Sequence, residues 1–589
     1  MNACVTFYNE QLAINKATLA KIKQQLFVSS MLRLFLFVIT AVVVYVVFTN
    51  IKLVLGAALV AVALFLFLVS RHTDLQYKRD QLKALIELNK TELLVLERKF
   101  HQLPAGEEFK DGTHYFSQDI DLFGVGSFFQ YCNRTALPQG REFLASVFMS
   151  NTTTAIPEKQ EAVKELAAMP VWRQQFTAVA SLVKTETTYS TILKWLGGYV
   201  AFMSRIKSWM VNLFSFLSLG VLIAGFIEII PLAIVGVWIC LGLLITAKFT
   251  KKITQLAVHT SKIQNTFQQY QQLVLQVEAT HFKAPLLQEQ QKKLISTDVK
   301  VSAVLKEFSG ILSALDQRNN ILMAFLGNAL VLWDIRQVMK LEKWIYRHKD
   351  EVAQWFSTIA FFDAYNSLGN FSFNHPNYAF PKITQNECVL KATQVAHPLL
   401  DPRKSVANDI TIDKAQFFII TGANMAGKST FLRTVSLQLV MANVGLPVCA
   451  TEASYTPIKL ITSMRTTDSL TDDESYFYSE LKRLKYIVDR IGEESYFIVL
   501  DEILKGTNST DKAIGSRKFV EKLVGSYSTG IIATHDLSLC EVAEELPQVK
   551  NYYFDAEITE GELHFDYQFK KGICQNMNAS FLLKKMNIV

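Results

Sequence analysis

Four long apolar runs, arranged as two tandem pairs, constrain this chain of 589 residues more than any other feature. Residues 34–49 and 53–69 contain no charged side chain, and residues 209–227 and 229–247 repeat that design around Glu228 and Pro231. A helix needs about 20 residues to cross the hydrocarbon core of a bilayer, and each run reaches that length with its flanks. The runs therefore predict two transmembrane helical hairpins. The alternative is buried core helices of a large soluble protein, and the tandem pairing favours the membrane.

Basic residues stand at the open ends of both hairpins, whereas the intervening turns carry only Lys52. These flanking cations are Lys16, Lys21, Lys23, Arg33, Arg71, Lys78, Arg79, Arg205, Lys207, Lys248, Lys251 and Lys252. Because segments rich in Lys and Arg stay on the cytoplasmic side, the pattern predicts a multi-pass membrane protein with four helices and a cytoplasmic C-terminal half. The polar first residues indicate an uncleaved anchor rather than a signal peptide.

Changes of pattern divide the chain into five regions. They are residues 1–72 with the first hairpin, 73–205 with a further helical region, 206–250 with the second hairpin, 251–369 with long helices, and 370–589 with an α/β domain. Within the fourth region, apolar residues recur at steps of three and four between Ile253 and Val277, which predicts a long amphipathic helix packed on another helix. Residues 370–381 are rich in Asn, Phe and Pro and are expected to form a linker.

A glycine loop follows the first apolar strand of the last region. Residues 417–421 read as a buried strand, residues 422–430 read Gly-Ala-Asn-Met-Ala-Gly-Lys-Ser-Thr, and a helical stretch follows. This is the GxxxxGK[ST] pattern in strand, loop and helix context, which predicts a P-loop that binds ATP with Mg²⁺. Lys428 would reach the β and γ phosphates, and the Ser429 hydroxyl would bind the metal. The expected ATP-binding residues are Gly422, Ala423, Asn424, Met425, Ala426, Gly427, Lys428, Ser429 and Thr430.

Two further apolar strands end in residues suited to ATP hydrolysis. Residues 496–500 run into Asp501 and Glu502, and residues 531–534 run into His535. Carboxylates at the C-terminal end of a parallel strand lie where α/β sheets bind ligands. Asp501 is therefore a candidate Mg²⁺ ligand, Glu502 a candidate general base, and His535 a candidate sensor of the γ phosphate. A histidine at a strand end is more commonly a structural hydrogen-bonding residue. The position of His535 after the acidic pair, however, resembles that of the γ-phosphate-sensing histidine in ABC-type ATPases, and this resemblance favours the catalytic role.

These motifs together resemble the ATPase domain of the MutS family of DNA mismatch-repair proteins. The loop TGANMAGKSTFLRT, the run from Asp501 to Asp511, and His397-Pro398 each resemble a motif of that family. Arg465, Asp468 and the stretch 475–480 resemble its signature motif. Weaker similarity to the helical MutS core lies at residues 121–124, 133–135, 140 and 159–166.

The resemblance implies an ABC-type P-loop ATPase domain at the C-terminus, preceded by an all-α, MutS-core-like region that carries the two hairpins. It also implies a homodimer, in which Ser475 of one chain completes the other chain's ATP site in trans. ATP binding would then close the dimer and move the long helices, and DNA would be the partner.

The sequence departs from the family at three places. Asp473 replaces a glycine within an acidic run before Ser475, and Ala426 replaces a loop glycine, a change that a negative φ tolerates. Residues 1–115 hold an anchor and a helix and leave no room for a mismatch-reading domain. Two alternatives therefore stay open: an ATP-gated membrane scaffold without DNA contact, and half of an ABC-type exporter, which would need six membrane helices and an LSGGQ-like signature.

Overall fold

The computed structural model describes residues 2–183, 188–203, 206–295, 300–321, 323–465, 476–559 and 562–575. Helices make up most of the chain before residue 375. In chain order they are α1 (Asn2–Val46), α2 (Ile51–Leu96), α3 (Phe128–Cys132), α4 (Pro138–Met149), α5 (Ile156–Ala167), α6 (Pro170–Ser181), α7 (Tyr189–Gly197), α8 (Ser208–Phe226), α9 (Leu232–Ala247), α10 (Thr250–Glu278), α11 (Pro285–Lys292), α12 (Val301–Asp316), α13 (Asn328–Val331), α14 (Trp333–His348) and α15 (Val352–Asn374).

The first two helices form one long antiparallel pair. They contain 45 and 46 residues, so at about 1.5 Å per residue each is more than twice as long as the hydrocarbon core of a bilayer is thick. The apolar runs occupy only the half near the turn. The other half is attached to the rest of the protein, where Cys4 and Tyr8 are buried beside Phe373. The expected hairpin is thus the outer part of a longer stalk.

Three helices are long and apolar enough to cross a membrane, namely α1, α2 and α8. Helix α9 has 16 residues and reaches such a length only together with the first part of α10, across a bend of 62°. The structure begins α9 at Leu232, because Pro231 breaks the helix that the apolar run 229–247 predicts. The described residues therefore contain three candidate spans, or four if the bent pair counts as one.

Helix α10 presents the amphipathic seam that its sequence predicts. The eight residues at the repeating positions are all buried, and they are Ile253, Leu256, Thr260, Ile263, Phe267, Tyr270, Val274 and Val277. The seam packs mainly against α12, and α12 packs in turn against α14. These helices connect the second hairpin to the core.

The last helix of this part, α15, is almost entirely buried and continues to Asn374. The expected domain boundary at residue 370, and with it the start of the expected linker 370–381, therefore lies inside the helix, which the chain leaves only after Asn374. Long-range hydrogen bonds hold that turn: Arg173 donates to the Asn370 side chain at 2.8 Å, and Tyr8 donates to the Asn374 side chain at 2.7 Å. Asparagines that would favour a loop stay helical because these bonds satisfy their side chains.

The C-terminal part is a layered α/β domain. Its strands are β1 (Lys382–Ile383), β2 (Cys388–Val395), β3 (Asn408–Asp413), β4 (Phe417–Gly422), β5 (Glu452–Tyr455), β6 (Lys459–Ser463), β7 (Tyr496–Asp501), β8 (Thr529–Ala533), β9 (Val549–Phe554), β10 (Ala556–Thr559), β11 (Glu562–Phe565) and β12 (Lys570–Lys571). Its helices are α16 (Lys428–Asn443), α17 (Tyr476–Ile491), α18 (Ser509–Gly525) and α19 (Val542–Glu545).

Two larger sheets organise this domain. The main sheet has the order β12-β9-β4-β8-β7-β6, with β12 antiparallel and the other neighbours parallel. The second sheet has the order β1-β5-β2-β3. Strands β4, β7 and β8 are buried along nearly their whole length, as continuous apolar runs in a parallel sheet require.

Candidate functional site

The candidate site lies at the C-terminal edge of the main sheet. Strand β8 is paired with β4 on one side and with β7 on the other, so the three strands end next to one another. The glycine loop follows β4, the two acidic residues end β7, and His535 follows β8. Because β8 is the middle strand, His535 is placed between the loop and the carboxylates.

The loop between β4 and α16 needs glycine at two positions. Gly422 and Gly427 have φ values of 153° and 100°, which residues with a Cβ rarely adopt. A Cβ on Gly422 would also lie 2.7 Å from the Phe554 carbonyl oxygen, and one on Gly427 would lie 3.1 Å from the Tyr567 ring. Ala426 is buried and does not have a positive φ, so alanine fits there. The side chains of Asn424, Met425, Ser429 and Thr430 are exposed around the loop.

Lys428, the first residue of α16, is buried beneath this loop. Its ammonium group donates hydrogen bonds to the carbonyl oxygens of Gly422 at 2.8 Å and Ala423 at 3.1 Å. Burial lowers the pKa of Lys428, while the nearby carboxylates of Glu502 and Asp501 act in the opposite direction. The cation is therefore held at the mouth of the loop, where it can reach a phosphate.

Ser429 and Asp501 form a pair of oxygen ligands. The Ser429 hydroxyl donates to Asp501 Oδ2 at 2.7 Å, and burial raises the pKa of Asp501 against the opposing effect of that bond. Among the described residues, no group of three or more His, Cys, Asp or Glu side chains could hold a metal ion. Two protein oxygens suit Mg²⁺, which takes its other ligands from water and substrate phosphates.

Glu502 and His535 are in direct contact. Glu502 Oε1 lies 2.9 Å from His535 Nε2, and Lys428 Nζ lies 3.2 Å from the same nitrogen. We assign the Nε2 proton to the bond with Glu502, because Lys428 already has two carbonyl acceptors. The hydrogen bond from His535, with Lys505 and Lys428 nearby, lowers the pKa of Glu502 to about 2. Glu502 is therefore an ionised carboxylate.

The backbone around Glu502 is held from a distant helix. Glu502 and Leu504 have φ values of 49° and 58°, in the left-handed region. The buried Glu480 of α17 accepts hydrogen bonds from the backbone N–H of Leu504 at 2.6 Å and of Lys505 at 3.1 Å. Glu480 belongs to the stretch that resembles a signature motif, yet nothing in the sequence indicates this contact. Its supporting role appears only when α17 packs against β6 and brings Glu480 to the turn that follows β7.

A cavity of about 350 Å³ adjoins the loop on its other side. His397, Met425, Phe431, Phe554 and Tyr567 are among its lining residues. Burial, with Arg433 and Arg98 nearby, lowers the pKa of His397 to about 4, so this ring is neutral near pH 7. An aromatic cavity beside a phosphate loop has the shape and polarity for a flat heterocyclic base.

Tyr567 is a second residue whose contact with the site cannot be predicted from the sequence. Its backbone carbonyl accepts a hydrogen bond from the Asn408 side chain at 2.9 Å, and Asn408 in turn accepts one from the Phe569 N–H at 2.7 Å. These bonds place the Tyr567 ring against Gly427. No local motif marks the tyrosine, because it lies far along the chain from the loop.

The structure thus brings together Lys428, Ser429, Asp501, Glu502 and His535 at one edge. Three residues of the expected signature region, Asp468, Asp473 and Ser475, lie outside the described residues. Arg465 precedes that region and pairs with Asp121 through both guanidinium nitrogens. Asp121 also pairs with Arg433 of α16 at 3.2 Å, which connects the helical part to the helix behind the loop.

Comparison with known proteins agrees with this geometry. Residues 418–584 match the family model described as MutS domain V. The human MutS protein homolog 4 is 30% identical over 253 residues, which cover 41% of this chain and 26% of that protein. The DNA mismatch repair protein MutS of Chloroflexus aurantiacus is 30% identical over 299 residues, covering 49% of this chain and 29% of that protein. That of Methanosarcina mazei is 32% identical over 227 residues, covering 37% and 25%.

The matched region spans only between a quarter and a third of the length of these three relatives. All three matches cover less than half of this chain.

Proposed function

Because the chain is a member of the MutS family through its C-terminal domain, we propose that this domain binds ATP with Mg²⁺ and hydrolyses it. One observation carries the proposal. At a single sheet edge, the loop lysine lies within hydrogen-bond distance of the histidine of a carboxylate–histidine pair, and a hydroxyl–carboxylate pair lies at the same edge. That set supplies a phosphate-binding cation, Mg²⁺ ligands and a group to orient the attacking water.

Each side chain has a defined task in this proposal. Lys428 holds the β and γ phosphates, and Ser429 and Asp501 hold Mg²⁺, which when bound neutralises charge that develops on the phosphate oxygens. Glu502 polarises the water that attacks the γ phosphate. While paired with His535 it is a weak proton acceptor, because its pKa is only about 2. When His535 turns toward the γ phosphate, Glu502 loses that bond and becomes more basic.

Two substitutions test the ATPase. We expect Lys428→Ala to abolish binding of a fluorescent ATP analogue, because the phosphates lose their buried cation. We expect Glu502→Gln to bind ATP within a few-fold of the original affinity, while phosphate release falls by about 100-fold or more. The surface change Glu493→Gln serves as the matched control. Normal hydrolysis by Glu502→Gln would remove Glu502 from the role of base.

A homodimer through the ATPase domains is the second part of the proposal, and it rests on family resemblance. In that arrangement Ser475 of one chain faces the ATP of the other. Because the Glu502→Gln variant would keep ATP bound, analytical sedimentation of this variant with ATP measures the fraction of chains in the ATP-bound dimer. A monomer at every protein and ATP concentration would contradict the dimer.

We further propose that the two hairpins attach this ATPase to a membrane, with the catalytic domain on the cytoplasmic side. Exposed apolar side chains support this part, for example Phe37 at 70%, Phe67 at 63% and Phe216 at 73% exposure. Such residues follow one another along α1, α2 and α8, and a continuous apolar surface of that size is unfavourable in water. In a bilayer, lipid acyl chains would cover these exposed apolar side chains.

Helix α2 offers a direct connection between the hairpin and the nucleotide site. The helix ends at Leu96, and Arg98 follows it with a φ of 66°. The Arg98 guanidinium donates to the Pro398 carbonyl oxygen and lies 5.3 Å from the centre of the Tyr131 ring. Pro398 follows His397 of the nucleotide cavity. We therefore expect ATP binding to change the position of α2. The change in the equilibrium between two positions of α2 can be only as large as the difference in ATP affinity between them.

DNA binding is a second candidate function, suggested by the names of the relatives and by one basic groove. The groove, about 530 Å³ in volume, lies between α12 and α14. Lys340, Lys343 and Arg347 line it at helical spacings of three and four, so they share one face of α14. Glu307 is its acidic lining residue. We expect DNA binding at low salt to depend on these three cations.

A further inference from the structure

A fifth apolar segment lies between α12 and α14. From residue 319 to residue 333 the chain carries no charged side chain, and between residues 321 and 332 Asn328 is the polar residue. Its described part consists of a π-helical turn at Met323–Gly327 followed by α13. At about 1.5 Å per residue, twelve residues reach roughly 18 Å, which is too short to cross a bilayer of about 30 Å.

This segment packs against the second hairpin. Helix α13 contacts both α8 and α9. At Gly242 of α9 an added Cβ would lie 2.2 Å from the Ala329 carbonyl oxygen, so the two backbones touch directly. Small residues permit such close approach between helices in membranes. The segment therefore lies directly against the apolar helices α8 and α9.

Its outer side is apolar and uncovered. Ile321 is 84% exposed, Phe325 49% and Leu326 47%. The neighbouring faces of the hairpin are exposed in the same way, with Val237 at 70% and Leu244 at 68%. The segment thus extends the apolar surface of the second hairpin.

Hydrogen bonds made by the segment and its flanks satisfy several of its backbone groups. The N–H of Ala324 donates to the Asn320 carbonyl at 2.8 Å. The buried Asn328 side chain donates to the Ala324 carbonyl and accepts from the Asp334 N–H, both at 2.9 Å. Irregular backbone is tolerated at membrane depth when protein groups satisfy it. Asn328, the polar residue of the segment, therefore forms its side-chain hydrogen bonds with the backbone of the segment and of Asp334 in the first turn of α14.

Both ends of the segment lie on the same side. Arg318 before it and Asp334 after it form an ion pair at 3.5 Å, and the Trp333 indole N–H donates to the Ala314 carbonyl at 2.9 Å. A spanning helix would separate its ends by the thickness of the membrane. Here the chain enters and returns at one surface, with charged residues at its base.

We propose that the described part of this segment, Ile321 and residues 323–332, is a re-entrant element embedded in the lipid bilayer beside the second hairpin. The inference rests on the proposed membrane attachment and adds a membrane-embedded element to it. Because the segment joins α12 to α14, any relative movement of these two helices would be transmitted into the bilayer.

Fluorescence quenching in vesicles tests this inference. Cys240, Cys388 and Cys449, which have accessible surface, are replaced by alanine, and single cysteines are introduced by Ile321→Cys and Phe325→Cys in the full chain. Leu59→Cys on α2 is the membrane control, and Tyr346→Cys on α14, where Tyr346 is 85% exposed, is the water control. Each variant is labelled with an environment-sensitive dye in phosphatidylcholine–phosphatidylglycerol vesicles, and its ATP binding is measured to show that it is folded.

We expect brominated acyl chains to quench labels at 321, 325 and 59, and aqueous iodide to quench the label at 346. If positions 321 and 325 respond like 346 while 59 responds to lipid, the re-entrant element is wrong and the membrane attachment stands. If position 59 also fails to respond to lipid, the attachment itself fails. Labels at 321 and 325 that neither quencher reaches would mean that protein, such as a second copy of the chain, covers the segment, which also overturns the inference.

Discussion

At the scale of single residues, the candidate site also depends on side chains that hold its backbone in place without being expected to touch a substrate. Glu480 accepts two N–H groups of a turn in which Glu502 and Leu504 have left-handed backbone conformations. Such conformations cost about 1 to 3 kcal/mol each and persist only where neighbours enforce them. Glu480 thereby fixes the direction of the Glu502 carboxylate.

We expect Glu480→Gln to slow ATP turnover without abolishing ATP binding. The amide keeps one acceptor oxygen and turns its NH₂ group toward a backbone N–H, so a buried donor loses its partner at a cost of about 1 to 3 kcal/mol. Phosphate release and thermal unfolding measure the two effects. The control is Glu493→Gln, because among the described residues Glu493 pairs with the exposed Arg490, and loss of such a surface pair should leave stability nearly unchanged. Equal turnover in both variants would contradict the positioning role.

At the scale of elements, α2 is the most consequential helix. Its first half carries an apolar run, and its second half packs against α6 and ends beside the nucleotide domain. The buried Glu92 on this half binds Arg134 and accepts a hydrogen bond from Asn374 at 2.8 Å. A helix anchored at so many points moves as a rigid body, so a displacement at Arg98 would reach its apolar end.

We expect Arg98→Ala to uncouple the hairpin from ATP. Losing a charge-assisted hydrogen bond to the Pro398 carbonyl should lower stability by about 1.5 to 3 kcal/mol and leave the phosphate contacts in place. Hydrogen exchange of residues 72–96 with and without ATP, in a Glu502→Gln background, measures the coupling. Lys99→Ala is the neighbouring control, because in the described part of the chain the Lys99 side chain pairs with the exposed Glu97. If ATP changes exchange equally in both variants, the signal does not travel through Arg98.

At the scale of the whole molecule, charge and hydropathy are unevenly distributed. The chain carries a net charge of +7 and a mean hydropathy of +0.19, its long apolar runs all lie before residue 250, and the α/β domain lies in its C-terminal part. A modest net charge by itself does not identify a nucleic-acid partner. The basic face of α14 is therefore the feature on which DNA binding can be tested.

We expect the combined change Lys340→Gln, Lys343→Gln and Arg347→Gln to weaken duplex DNA binding by the detergent-solubilised full chain. Each lost phosphate contact should lower the slope of log affinity against log salt by about 0.9. The combined change Lys518→Gln, Lys522→Gln and Lys550→Gln removes the same charge from the α/β domain and serves as control. Equal weakening by both sets would exclude the groove, and no binding by the unmodified chain at low salt would exclude DNA as a partner.

Rules that depend only on neighbouring residues are enough to predict several elements of this protein from its sequence. Periodicity predicts the buried seam of α10, continuous apolar runs predict β4 and β7, and the glycine spacing predicts a loop that only Gly422 and Gly427 can complete. In each case neighbouring residues determine the outcome, because helix repeat, strand burial and allowed φ values are local properties.

Only the tertiary structure decided which distant residues meet. Glu480 reaches the turn after Glu502, Tyr567 covers Gly427, and Arg98 reaches Pro398 across 300 positions of the chain. The continuation of α15 through Asn374 and the seating of α13 on the second hairpin likewise depend on partners far away in sequence. The local sequence around a residue does not indicate such distant partners, because each of these contacts forms, and contributes free energy, only once the chain has folded.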